Sequence, residues 1–158
     1  NLASERSGLT GENPSVGCVI VKKNRVISMG KTGLNGRPHA EHNAIEICKN
    51  KIRNSSLYVT IEPCLMCAGA MVHARIGTLV FGALEPRTGV VRSRMRVFDE
   101  AFQNHRVEVV EGVLEEQSAR RRLATDLAWR HPLGPNHALR LQLLRLLGSF
   151  PRCSSCPS

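Results

Sequence analysis

Between residues 16 and 110, short apolar runs of strand length alternate with helix-length segments of a different period. This alternation restricts the fold more than any other feature of the chain. Residues 16–22 and 25–29 read as two strands joined by a tight turn at Lys23-Asn24. The first is almost continuously apolar (Val16, Cys18, Val19, Ile20, Val21), the pattern of a strand buried on both faces. A loop holding Gly33 and Gly36 follows, then a helix over 39–49. On that helix Ala40, Ala44, Ile47 and Cys48 recur at helical spacing and are expected to face the core. Residues 57–61 form a third strand. Glu62-Pro63-Cys64 opens a second helix reaching about Arg75, with Pro63 suited to its first turn and Gly77 to its stop. Residues 78–83 and 107–110 complete five strands, and a last helix begins near Val113.

Strands separated by single helices predict an α/β fold with a largely parallel sheet covered on both faces, its opening hairpin supplying the antiparallel pair. The expectation is a three-layer α/β/α sandwich on a mixed five-stranded sheet. Sites in such sheets form at the carboxyl ends of strands, and the segments starting at His39 and Cys64 both begin there. A domain over 1–125 accounts for these elements. The tail, 126–158, is rich in Arg, Leu, Pro and Ser, and Leu139, Leu143, Leu144, Leu146 and Leu147 suit an amphipathic helix within it.

Six cysteines need a reading (Cys18, Cys48, Cys64, Cys67, Cys153 and Cys156). The chain opens at Asn1 with no basic-then-apolar leader pattern, so the expectation is a cytoplasmic protein trimmed at its start, without a disulfide framework. No apolar run approaches the roughly 20 residues of a membrane span. Cys18 and Cys48 fit as small buried hydrophobes, and Cys153/Cys156 lack partners that would complete a second metal site.

Cys64 and Cys67 have a richer context. Three residues apart in a helix's first turn, they share a face where the dipole and free amides favour thiolate. His39 supplies a third ligand and Cys64-x-x-Cys67 two more, a donor set suited to one zinc ion per chain. His42 and His73 are badly spaced for a fourth. Three protein ligands leave room for water, the mark of a catalytic rather than a structural zinc site. Glu41, two residues from His39, then has a use: it takes a proton from that water and returns it to the substrate. The combination His-Ala-Glu, a strand about 20 residues on, then Glu-Pro-Cys-x-x-Cys is the signature of the zinc deaminases, and the assignment is a match to that pattern.

At these residues the chain resembles the cytidine-deaminase-like superfamily, and the resemblance divides. EPCLMCAGAMVHARIGTLVFGALEPRTG and NHRVEVVEGVLEE, within about 57–116, are similar to bacterial tRNA-specific adenosine deaminase. TGENPSVGCVIVK and GRPHAEHNAIE, within about 2–46, are similar to the deaminase domain of riboflavin biosynthesis. All five lysines lie at or before Lys51, and every later basic residue other than histidine is arginine. The two observations together lead to the expectation of a chimera joined near 57–64.

The tRNA resemblance implies hydrolysis of adenosine to inosine, a tRNA or other single-stranded nucleic acid partner, and a homodimer with the Cys64 helix near its interface. The short Cys-x-x-Cys spacing and the net charge of +9 agree with it. The riboflavin resemblance implies a free pyrimidine substrate instead. A third reading is a zinc-stabilised RNA-binding module without turnover. By resemblance, Asn13, Thr32, Ala40, Glu85 and Thr88 are substrate-binding candidates. Arg87, Arg92, Ser93, Arg94 and Arg96 give the groove a basic, polar rim suited to phosphates. Asn104-His105-Arg106 fits either packing or RNA contact. Arg120-Arg121-Arg122 and Trp129 loosely echo the basic and aromatic terminal helix of the tRNA family.

Overall fold

The hairpin that opens the sheet turns on two residues. Strands β1 (Gly17–Lys22) and β2 (Arg25–Lys31) are joined by Lys23 and Asn24, both at positive φ (50° and 58°), the combination that matches hairpin twist. The computed structural model describes residues 2–11, 13–48, 51–120 and 123. Helix α1 (Ala40–Cys48) leads to β3 (Ser56–Ile61), and α2 (Leu65–His73) to β4 (Thr78–Ala83). β5 (Glu108–Val110) follows, and residues 115–120 begin a third helix, α3. The tail's apolar leucines, Trp129, Arg121, Arg122 and the Cys153/Cys156 pair lie outside the described residues.

The sheet runs β2-β1-β3-β4-β5 and is mixed, as expected. One detail differs. β1 is antiparallel to β3 as well as to β2, and only β3–β4 and β4–β5 are parallel. The cause is topological: the β2–α1–β3 crossover lands β3 on the far side of β1, parallel to β2, which leaves β1 antiparallel to both.

Alternation along the strands divides the sheet into two unlike faces. Cys18, Ile20, Leu57, Val59, Leu79 and Phe81 are buried on one face, against Ala40 and Ala44 of α1 and Cys67, Ala68 and Met71 of α2. Each large side chain removed from water here contributes on the order of 2 kcal/mol. The other face carries Val19, Met29, Tyr58 and Val80, and Met29 and Tyr58 are exposed among the described residues. Leu2 and Glu5 from the start of the chain border that face, as do Val113, Leu114 and Ser118 at the entry to α3. β1 is therefore not buried equally on both sides: its continuous apolar run reflects one dense face and one partly covered face.

Two helix readings are corrected as well. Ile47 is exposed, and Ile45 packs on the core instead, because α1 presents a narrow stripe centred on Ala40 and Ala44. α2 stops before Gly77. Arg75 takes the left-handed conformation (φ 60°), while Ile76 N–H bonds Met71 C=O at 3.0 Å and Arg75 N–H bonds Val72 C=O at 3.1 Å. This is the Schellman pattern with arginine in the position glycine usually fills. Burial of Ile76 and Met71 and the bond from the Arg75 guanidinium to Asn104 C=O (2.6 Å) hold it there. Asn104-His105-Arg106 thereby has a packing role, since His105 Nε2 also lies 2.6 Å from Ile76 O.

Close backbone approach sets where α1 docks. A Cβ on Gly30 of β2 would lie 2.1 Å from Ala40 O and 2.7 Å from Ala44 N. Only glycine lets the first turn of α1, with its chemical groups, seat on the sheet. Ser28 fixes the same helix from below, its hydroxyl donating to Ala44 C=O at 2.7 Å.

Candidate active site

The ligands expected from spacing converge. His39 directly precedes α1, Cys64 caps the N-terminus of α2, and Cys67 lies in that helix's first turn. Pro63 stands one position before the cap rather than inside the first turn, fixing the chain as it leaves β3. His39 Nδ1 is 3.6 Å from Cys64 Sγ and 3.5 Å from Cys67 Sγ. A tetrahedral zinc ion, with Zn–S about 2.3 Å and Zn–N about 2.0 Å, needs an N···S separation of about 3.5 Å. The residues therefore fit zinc, with Nδ1 as the histidine donor. Among the described residues His39, Cys64 and Cys67 are the one group of three or more donors so placed, and no fourth protein ligand joins them.

The electrostatics suit a cation. Cys67 beside Cys64, then the hydrogen bond to His39, lower the Cys64 thiol to about 4 against the burial that opposes ionisation. Cys67 is pushed upward, first by Cys64 and then by burial. His39 is raised chiefly by its bond to Cys64. Glu41 is buried, and burial pushes its carboxyl up, with the Cys64 thiolate adding to the effect and His39 opposing it.

One cavity gathers the rest. Its wall contains His39, Glu41 and Cys64 together with all five substrate candidates, Asn13, Thr32, Ala40, Glu85 and Thr88. Their standing differs. Thr32 is buried and its hydroxyl accepts from Val16 N–H at 2.9 Å, so its polar atom is engaged in holding the start of β1. Thr88 is exposed at the rim. Glu85 is 4% exposed, and among the described residues its Oε2 has no partner, while Oε1 accepts from Arg87 N–H at 3.1 Å.

The expected basic rim is thinner than the sequence implies. Arg92 is turned to Glu111 (3.4 Å) and Asp99 (4.0 Å), Arg96 reaches Asp99 (3.8 Å), and Ser93 is bonded to Glu62. Arg87 and Arg94 are exposed but also engaged: Arg87 Nε lies 3.5 Å from Glu85 Oε1, and Arg94 Nε donates to Arg87 C=O at 3.3 Å. Sequence reasoning passed over Glu62, which also lines the cavity. Burial alone would raise its carboxyl, but the Ser93 hydroxyl and amide, with the amides of Arg92 and Glu85, outweigh it and hold the group below its ordinary value. Its place just before Pro63-Cys64 was the one available signal, and it was legible only as part of a motif.

Residues 1–83 match the family model described as the cytidine and deoxycytidylate deaminase zinc-binding region. A tRNA-specific adenosine deaminase of Haemophilus influenzae is 39% identical over 128 residues, covering 75% of this chain and 73% of that protein. A structure from work on A-to-I editing by tRNA:A34 deaminases at the wobble position superposes with a TM-score of 0.60 at 35% identity, covering 66% of this chain and 83% of that one. The diaminohydroxyphosphoribosylaminopyrimidine deaminase/5-amino-6-(5-phosphoribosylamino)uracil reductase of Thermotoga maritima superposes with a TM-score of 0.67 at 35% identity, covering 81% of this chain and 38% of that larger one.

Proposed function

Since the chain belongs to the cytidine and deoxycytidylate deaminase zinc-binding family, we propose that it hydrolyses adenosine in tRNA to inosine, releasing ammonia. The observation that carries this reading is the meeting of three metal ligands, with no fourth among the described residues, at a cavity whose wall holds His39, Cys64 and a buried Glu41. The tRNA branch is supported by 39% identity across most of both chains to a protein of that named activity.

His39, Cys64 and Cys67 would hold zinc, which when bound would supply Lewis acidity that activates water as a nucleophile. Glu41 takes one proton from the attacking water and passes it to the ring nitrogen beside the amine-bearing carbon; it then takes the remaining hydroxyl proton, leaving a carbonyl, and delivers it to the departing amine. One C–O bond forms, one C–N bond breaks, and no electrons are exchanged with a second reagent. Ala40 offers a first-turn amide to a ring acceptor, and Asn13, also in the cavity wall, offers a side-chain amide. The unpartnered Glu85 oxygen is an acceptor for a substrate hydroxyl or amine, and Arg87 and Arg94 at the rim meet phosphates. A tRNA substrate places the activity in the cytoplasm. Exposed Leu65 and Met66 on the first turn of α2 support a homodimer formed along that helix.

One observation favours a second substrate. The Thermotoga maritima deaminase/reductase superposes over more of this chain, and Asn13, from the segment that resembles the deaminase domain of riboflavin biosynthesis, stands in the cavity wall. Incubating the zinc-loaded protein separately with tRNA and with the riboflavin pyrimidine, then reading product mass, separates the two. Inosine in tRNA is the expected result, and turnover of the pyrimidine alone would overturn it. A zinc-stabilised RNA-binding module would show no turnover of either, and its RNA affinity would be indifferent to Glu41→Ala.

A further inference from the structure

Glu62 makes an unusual number of bonds for one carboxylate. Oε1 accepts the backbone N–H groups of Val91 (2.9 Å), Arg92 (2.6 Å) and Ser93 (2.9 Å). Oε2 accepts Glu85 N–H at 3.0 Å and the Ser93 hydroxyl. Five donors from one loop thus converge on a side chain that is 4% exposed. The same loop is tied to the metal-bearing turn by Val90 N–H to Pro63 C=O (3.1 Å) and by a bridge between Cys64 and Gly89. Gly89 completes the fit, for a Cβ there would sit 2.4 Å from the Glu62 carboxylate and 2.6 Å from Glu85 O.

This loop carries Glu85, Arg87 and Thr88 into the cavity wall, whereas the proton chemistry belongs to Glu41 on α1. Glu62 makes none of the metal-ligand contacts; its bonds run to the loop. We propose that Glu62 is a positioning residue for substrate: it clamps residues 85–93 to the Pro63-Cys64 turn and thereby sets the wall that recognises the substrate around its reacting base. The role rests on the deaminase reading for its consequence in turnover, but the clamp itself is measurable without activity.

Glu62→Gln is the sharpest variant. It keeps the shape but replaces one oxygen with an NH2 group, so that at least one backbone N–H of the loop, Glu85 on one side or Val91, Arg92 and Ser93 on the other, faces another donor. Gly89→Ala disturbs the same contact from the other side and leaves the carboxylate in place. Both variants are compared with the wild-type protein, all zinc-loaded, for metal content, hydrogen exchange over residues 84–94, and kcat and KM on the substrate that the wild type deaminates. The expected result is one zinc per chain, faster exchange confined to that loop, and a KM raised about tenfold with kcat lowered less than about threefold. If Glu62→Gln does not fold, Gly89→Ala carries the test alone. Loss of zinc and kcat with unchanged loop exchange would overturn the proposal, because Glu62 would then serve the metal turn. Faster exchange with KM unaltered would overturn it equally. A wild type that binds zinc yet deaminates nothing would instead defeat the deaminase reading, and the exchange data would still decide whether the clamp exists.

Discussion

At the scale of single residues, the metal ligands and their proton balance are coupled. Cys67 and the hydrogen bond to His39 hold the Cys64 thiol below its ordinary range, while Cys64 and burial push Cys67 upward, so the two thiols ionise unequally. Zinc requires both as thiolates and His39 neutral. Zinc uptake by the metal-stripped protein at pH 7 is therefore expected to release at least one proton per ion. Calorimetry in buffers of different ionisation heat measures this, and uptake without proton release would mean that Cys67 is not a ligand. His39→Ala and Cys67→Ala should each abolish stoichiometric zinc. These residues were legible in the sequence because their spacing is chemical and local. Glu62 was not, since five donors on one carboxylate come from residues 23 to 31 positions away, and only folding brings them together. The engagement of Thr32 with Val16 was hidden for the same reason.

At the scale of elements, the seat of α1 on β2 decides whether His39 and Glu41 reach the cavity. Gly30→Ala places a methyl group against the backbone of Ala40 and Ala44, which cannot yield as a side-chain end would. The expected cost is about 2–3 kcal/mol, a fall in melting temperature on the order of 10 °C, with zinc affinity falling alongside. A melt at the wild-type temperature would show that α1 docks elsewhere. Element order and most boundaries could be read from periodicity: β4 spans 78–83, as expected, and the hairpin turn sits at Lys23-Asn24. The second antiparallel pairing of β1 could not, because strand order across a crossover is not written in local pattern. Nor could the stop of α2 at Arg75, where tertiary contacts replace the glycine that local chemistry prefers.

At the scale of the whole molecule, the two stretches of different resemblance share one core. Cys18, Ile20, Ala40 and Ala44 from the first pack with Leu57, Cys67, Met71 and Phe81 from the second, and β1 pairs directly with β3. The relative from Haemophilus influenzae covers 75% of the chain, so its alignment crosses residues 57–64. We propose that the joining of two lineages, read from the split motifs and the lysine-to-arginine change, is a matter of ancestry rather than of separate folding units. Separate comparisons of residues 1–56 and 65–116 that returned one family for both would remove it. A single cooperative melt, shifted downward when zinc is chelated, is the outcome expected of one core with a metal at its edge. Two transitions would contradict that unity. Among the described residues no helix is long and apolar enough to cross a membrane.

The account turns on Glu41 as the group that moves protons beside a catalytic metal. The most direct test is the product mass of adenosine-containing tRNA after incubation with zinc-loaded wild-type and Glu41→Gln proteins, alongside their zinc content. The wild type is predicted to form inosine. The variant is predicted to hold the same one zinc per chain while its rate falls by about two to four orders of magnitude. Equal rates in the two proteins, or no inosine from a fully zinc-loaded wild type, would contradict it.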